Sequence, residues 1–81
     1  MDLQKLSEYI LEGREIEFEY QGEKYSITYG VSDGKEIISF CRFYQETTEV
    51  TSVDELIKVE RDGVTVLEML KSLSEDKIWI F

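Results

Sequence analysis

Between positions 14 and 29 the chain alternates apolar and polar side chains. Ile16, Phe18 and Tyr20 alternate with Glu15, Glu17 and Glu19, and Tyr25, Ile27 and Tyr29 alternate with Lys24, Ser26 and Thr28. A period of two is the mark of a half-buried β-strand, because successive side chains point to opposite faces. Gln21-Gly22, between the two runs, suits a two-residue primed turn. Such a turn sets Tyr20 opposite Glu23, Phe18 opposite Tyr25, Ile16 opposite Ile27 and Glu19 opposite Lys24. Both apolar sets then share one face. A slip of one residue would push Phe18 and Ile16 into water, so the pattern specifies its own register. A two-stranded hairpin is marginal by itself, and the remaining chain is expected to add a third strand and a cover.

The pattern before the hairpin is helical. Over residues 2–12, Leu3, Leu6 and Ile10 recur at helical spacing with Tyr9 beside them, while Gln4, Lys5, Glu8 and Glu12 take the other face. Asp2 suits the N-cap or first turn, and Gly13 stands where a helix ends in the left-handed conformation. This helix is read as the cover of a small core.

After the hairpin, residues 36–44 read as the third strand of a meander, and the loop before it decides which face is buried. A three-residue loop, Ser32-Asp33-Gly34, aims Ile37, Ser39, Cys41 and Phe43 at the core. A four-residue loop, 32–35, aims Ile38 and Phe40 there instead. Burying Ile38 and Phe40 outweighs the turn preference by about 2–3 kcal/mol at ordinary transfer values, which favours the second reading. A bulge that switches faces midway is a third possibility.

Residues 45–52 are polar and threonine-rich and read as a loop or ragged strand end. Ser52-Val53-Asp54-Glu55 then matches a capping box, which predicts a second helix from 53 to 59 or 60. Arg61-Asp62-Gly63 breaks it. A third helix is expected over 64–73, capped by Thr65 or Asp62, with Val66, Leu67, Leu70 and Leu73 inward and Met69 flanking. A short strand at Val64-Thr65-Val66 is the competing reading, since those residues are β-prone. Residues 77–81, Lys-Ile-Trp-Ile-Phe, are branched and aromatic and read as a strand tied into the sheet. The expected fold is therefore α+β in two layers: an N-terminal helix, a three-stranded antiparallel meander, two short helices and a C-terminal strand joining the sheet.

Length and composition narrow the picture. Eighty-one residues make one domain, 1–81, and a 42% hydrophobic chain with 12% aromatics is too apolar to stay disordered. No run approaches the roughly 20 apolar residues of a membrane span. The opening Met1-Asp2-Leu3-Gln4 lacks the basic start and apolar core of a signal peptide. A single cysteine, Cys41, excludes an internal disulfide framework and fits a reducing cytoplasm. Eighteen acidic against nine basic residues give a net charge of −9. Such a surface repels phosphate backbones and anionic lipids, which disfavours direct nucleic-acid and membrane binding and suits a basic protein partner.

Catalytic chemistry is poorly supplied. There is no histidine, the commonest general base and metal ligand. Cys41 has no histidine to activate it, and Arg42, adjacent in a strand, points to the opposite face, so Cys41 reads as a plain strand residue. Glu15, Glu17 and Glu19 share one strand face at about 7 Å intervals, a spacing that admits a divalent cation or a glycosidase-like pair. The stronger reading is a solvated face balanced by Lys24, Arg14 and Arg42. No phosphate loop or calcium loop is present. No catalytic residue, metal or cofactor is assigned. Ten aromatic residues are many for so small a core, and a surplus exposed around Phe43, Tyr44 and Trp79 is the sequence-level hint of a partner surface, together with Glu15, Glu17 and Glu19.

The run Gly13 to Ile27, GREIEFEYQGEKYSI, with Val53-Asp54-Glu55-Leu56 and Asp62-Gly63 later on, resembles small acidic proteins of unknown function from Gram-positive bacteria and their mobile elements. The shared motifs are a helix stop, a hairpin and a helix cap, and the resemblance implies no activity. The expected function is that of a small acidic, non-catalytic cytoplasmic protein that binds another protein or itself. The alternative is a nucleic-acid mimic, encoded by a phage or mobile element, that inhibits a DNA-binding protein or defence nuclease. It would place Glu15, Glu17, Glu19, Glu46, Glu49, Asp54 and Glu55 on one continuous face.

Overall fold

Gln21 and Gly22 both adopt left-handed backbone, with φ of 51° and 79°, which is the pair of conformations a type I′ turn requires. This turn joins β1 (Ile16–Tyr20) to β2 (Glu23–Ser32) in an antiparallel pair. The register is the one the alternation demands: Ile16 opposite Ile27, Phe18 opposite Tyr25, Glu19 opposite Lys24 and Tyr20 opposite Glu23. The computed structural model describes residues 1–43 and 45–81, and the fold is α+β.

β2 continues into β3 (Lys35–Arg42) through a second turn of the same kind, Asp33-Gly34, with φ of 52° and 76°. The loop thus has two residues, where four were expected. Two and four have the same parity, so Ile38 and Phe40 still face inward and are buried, at 3% and 0% exposure. Ile37, Ser39 and Cys41 lie on the other face, half-buried. Residues expected as a loop or ragged end supply a fourth strand, β4 (Thr47–Val50), which pairs with β3 through Ile38–Val50 and Phe40–Thr48. It is an edge strand, which explains why its sequence carries so little apolar pattern.

The second helix, α2 (Val53–Leu56), is one turn long and stops well short of the expected end. Ser52 caps it, accepting from the Glu55 N–H at 3.2 Å. Its successor is a small hairpin, β5 (Glu60–Arg61) and β6 (Val64–Thr65), turned by Asp62 and Gly63 at φ of 53° and 79°. The Asp-Gly pair that reads as a helix break is therefore a third primed turn, and the competing strand reading is correct for Val64 and Thr65. Helix α3 (Val66–Ser72) starts two residues later than expected, with Thr65 and Glu68 forming a capping box. From that start the 3.6 period buries Val66, Met69 and Leu70. Leu67, expected inward, and Leu73 are half-buried, and Met69 takes the central place rather than flanking.

After a 3₁₀ turn (Glu75–Lys77), β7 (Ile78–Ile80) returns beside β1, antiparallel to it. The sheet order is β4-β3-β2-β1-β7. The first helix, α1 (Leu3–Leu11), begins at the Asp2 cap, whose carboxylate accepts from the Lys5 N–H at 2.8 Å. It buries Leu6 and Ile10, while Leu3, expected in the apolar stripe, is 41% exposed at its rim.

One core holds both layers. Leu6, Ile10, Leu56, Val66, Met69 and Leu70 from the helices meet Ile16, Phe18, Tyr25, Ile27, Ile38 and Phe40 from the sheet. At its centre Phe18, Tyr25 and Phe40 lie nearly parallel, with ring centroids 5.2 to 6.3 Å apart. All three helices thus contribute to the core on one face of the sheet. Among the described residues, no helix covers the other face.

Candidate functional site

The uncovered face is defined by strand parity. Across it run Trp79 of β7, Glu17 and Glu19 of β1, Lys24, Ser26 and Thr28 of β2, Ile37, Ser39 and Cys41 of β3, and Thr47 and Glu49 of β4. Every one is half-buried or exposed. Glu15 extends the row, since its carbonyl accepts the Phe81 N–H at 2.8 Å.

The three glutamates of the row have different surroundings. Glu19 faces Lys24 across the hairpin and has the Lys77 ammonium 3.8 Å from its carboxylate. Glu17 lies between β2 and β7, opposite Ser26 on one side and Trp79 on the other. A side-chain hydrogen bond with Glu15 pushes the Glu17 pKa above the usual glutamate value; desolvation and the Glu15 charge push the same way, and Lys24 opposes them. The row therefore holds one glutamate between two lysines and one glutamate, Glu17, whose proton is favoured by its neighbour Glu15. Arg42 takes no part in balancing it. Arg42 stands opposite Tyr25, a core-face residue, so it lies on the helix side of the sheet. Arg14 likewise turns away, with its guanidinium 5.5 Å from the Tyr9 ring centroid and its Nε donating to the Phe81 carbonyl at 3.1 Å. Lys77, which the sequence pattern did not single out, takes the balancing role beside Lys24.

Of the aromatic residues read as a partner surface, Trp79 is on the uncovered face and 40% exposed. The Lys24 ammonium sits 5.9 Å from its ring centroid, within cation–π range. Phe43 is half-buried, and its N–H donates to the Lys24 carbonyl at 2.9 Å, which brings it to the end of the same strand. Tyr44 lies outside the described residues. Phe81, 62% exposed, is a further aromatic that the sequence reading passed over. Its signal is its spacing, two residues from Trp79 in one strand, which puts both on the same face. The structure thus gathers Glu15, Glu17, Glu19 and Trp79 at one side of the uncovered face.

Cys41 is on this face as well, with its Sγ 3.2 Å from the Ser26 Oγ. Among the described residues, no group of three or more cysteine, aspartate or glutamate side chains is arranged to hold a metal ion. Nor, among them, is any helix long and apolar enough to cross a membrane.

A separate polar cavity of about 440 Å³ opens on the helix side, lined by Arg42, Gln45, Glu46, Thr48, Arg61 and Asp62. Its arginines are held by ring faces, Arg42 at 5.5 Å from Tyr25 and Arg61 at 5.3 Å from Phe40. Arg42 also donates to Asp62, and Arg61 to Thr48. These contacts seal the end of the aromatic stack and dock the β5–β6 hairpin against the sheet. Two guanidiniums and two carboxylates line the cavity and balance in formal charge.

The seven acids of the nucleic-acid-mimic reading do not share one face. Glu15, Glu17 and Glu19 are on the uncovered face, while Asp54 and Glu55 stand on α2, whose Leu56 is buried in the core. Glu55 is further engaged by Thr51 and Ser52, whose hydrogen bonds, Thr51 foremost, hold its pKa below the usual range. Glu49 does lie on the uncovered face, but Ser26, Thr28, Ser39 and Cys41 stand between it and the row.

No family model, curated protein or solved structure matches this chain.

Proposed function

We propose that the protein is a small, acidic, non-catalytic interaction module of the cytoplasm that binds another protein through the uncovered face of its sheet. One observation carries this reading: the helices all pack on one side, and the other side presents Glu15, Glu17 and Glu19 beside the exposed ring of Trp79. A tryptophan left in water next to a charge row is an unusual use of the residue, and tryptophan is enriched where proteins dock. The net charge of −9 favours a basic partner and fast, salt-sensitive association.

Light scattering on the purified chain and capture from native lysate test this reading. A partner, or a second copy, is retained by the wild-type chain and lost when Glu15 and Glu17 are both changed to lysine. Replacing Asp54 and Glu68 on the helix side leaves retention unchanged. A strict monomer that retains nothing at micromolar concentration would refute the reading.

A further inference from the structure

Among the described residues β7 pairs with β1 alone and ends the sheet, and what surrounds it on both faces is specific. In an antiparallel ladder, residues alternate between pairs that exchange hydrogen bonds and pairs that do not. The Phe81 N–H bonds the Glu15 carbonyl, so the bonded pairs with β1 are Glu15–Phe81 and Glu17–Trp79. Ile16–Ile80 and Phe18–Ile78 are then the non-bonded pairs, and Ile78 and Ile80 direct their backbone groups away from β1. The Ile78 N–H closes the 3₁₀ turn on the Glu75 carbonyl. The Ile78 carbonyl and both polar groups of Ile80 remain on the outward edge.

Sheet edges are usually defended by proline, by charges on the strand or by a bulge. Ile78, Trp79 and Ile80 carry none of these, and the chain contains no proline at all. On the helix side of the edge lies a groove of about 280 Å³, lined by Met1, Lys5, Tyr9, Glu75, Ile78 and Ile80. Its floor is the apolar surface of Ile78, Ile80, Tyr9 and Met1. On the other side are Trp79 and the glutamate row. An extended chain laid along this edge alternates its side chains between the two environments, one apolar and the other aromatic and acidic.

We propose that β7 accepts an extended segment of a basic partner protein as an additional strand, with apolar side chains in the Met1–Tyr9–Ile80 groove alternating with lysine or arginine side chains over Trp79 toward Glu17 and Glu19. The charge of the face selects the occupant. Lys24 reaches the Trp79 ring from β2, two strands away. A basic residue on a strand added outside β7 is one strand from that ring and two from Glu17, so the same reach suffices. A second copy of this chain brings a further charge of −9 to the edge and is disfavoured there. This inference rests on the interaction reading above and narrows it to one mode of binding.

The test uses the full chain and the synthetic peptide acetyl-KVKVKVK-amide. The only tryptophan in the sequence is Trp79, so its fluorescence reports on the edge directly, and exchange protection of the Ile80 amide reports on the new ladder. Two comparisons isolate strand addition from simple charge attraction: the composition-matched peptide acetyl-KKKKVVV-amide, and the variant Ile80→Pro, which removes an outward N–H that β1 does not use. The expected result is a Trp79 shift with Ile80 protection for the alternating peptide, and binding about tenfold weaker or worse for either comparison. Equal binding of both peptides overturns strand addition while leaving the acidic face as a docking surface. A concentration-dependent Trp79 shift and doubled mass without peptide assigns the edge to a second copy and also overturns it. If neither peptide binds, strand addition fails, and the interaction reading stands or falls on its own retention experiment. Should Ile80→Pro fail to fold, the composition-matched peptide still decides.

Discussion

Glu17 lies directly opposite Trp79 on the antiparallel β1–β7 pair, on the face of the sheet that no helix covers. Neither residue is placed there by its neighbours in sequence. The pairing arises because the chain returns, after sixty residues, to lay β7 against β1. It puts an exposed indole beside a carboxyl whose proton affinity Glu15 raises.

That carboxyl predicts a pH response of known sign. A group whose folded pKa is raised binds more protons folded than unfolded between the two values, so its contribution to stability improves as pH falls through that window. Glu17 therefore opposes folding most above its raised folded value and least below the ordinary glutamate value. Glu55 and Asp76, held low chiefly by Thr51 and by Ser74, act in reverse: they stabilise above the ordinary range and lose this as pH falls through their depressed values. Glu15→Ala removes the hydrogen bond and the charge together. Carboxyl-carbon NMR titration should show the Glu17 midpoint returning toward the ordinary value in this variant. Urea denaturation should show a smaller gain in stability than the wild type gives as pH falls from neutral into the ordinary glutamate range.

Turn glycines and strand glycines should respond oppositely to alanine. Gly22 has φ of +79°, where a Cβ costs about 1–2 kcal/mol whatever the space around it. Gly30 sits in β2 without positive φ, and a Cβ added there meets nothing within 4 Å. Gly22→Ala should lower the unfolding free energy by about 1 kcal/mol or more, and Gly30→Ala should raise it by about 0.5 kcal/mol. Urea midpoints of the two variants check both signs.

The aromatic stack should dominate stability. Phe40 is fully buried against Tyr25 and Phe18 and carries the Arg61 guanidinium on its ring. Phe40→Ala should cost about 3–5 kcal/mol, a large share of what a domain this small holds. Phe40→Leu should recover much of it. Calorimetry on both variants measures the difference.

Loss of the α3 cap should cost less, and in a way that can be apportioned. The Thr65 hydroxyl accepts from the Glu68 N–H at 3.2 Å, and the Glu68 carboxylate accepts from the Thr65 N–H at 3.3 Å. Thr65→Ala should destabilise by about 1 kcal/mol, and Thr65→Ser should restore most of it.

The parts of this fold that were legible in the sequence are those set by parity and local turn chemistry. Ile16, Phe18, Tyr25 and Ile27 could take only one register without exposing themselves, and Gln21-Gly22 fixed the turn. Ile38 and Phe40 face the core with a two-residue loop as they would with four, because parity survives the change. Asp62-Gly63 has the same turn chemistry as Asp33-Gly34, but the helix cap at Ser52 ahead of it makes the segment resemble a longer helix that the pair ends. β4 was hidden because an edge strand needs few apolar residues, and Val50 alone marks it. Arg42 belongs with Ile38 and Phe40 by the same parity, opposite Tyr25, and counting it among the cations of the glutamate face runs against that alternation. Trp79 could be read as exposed but not as the neighbour of Glu17, since no local signal says which edge a C-terminal strand will join.

The proposed function makes the uncovered sheet face the surface on which a partner docks. Site-specific photo-crosslinking in native lysate tests it most directly, with the reactive residue placed at Thr28 on that face or at Glu68 on α3. An adduct of defined mass is expected from Thr28, lost when Glu15 and Glu17 are both changed to lysine, and none from Glu68. Adducts from Glu68 alone, or from neither position, would contradict it.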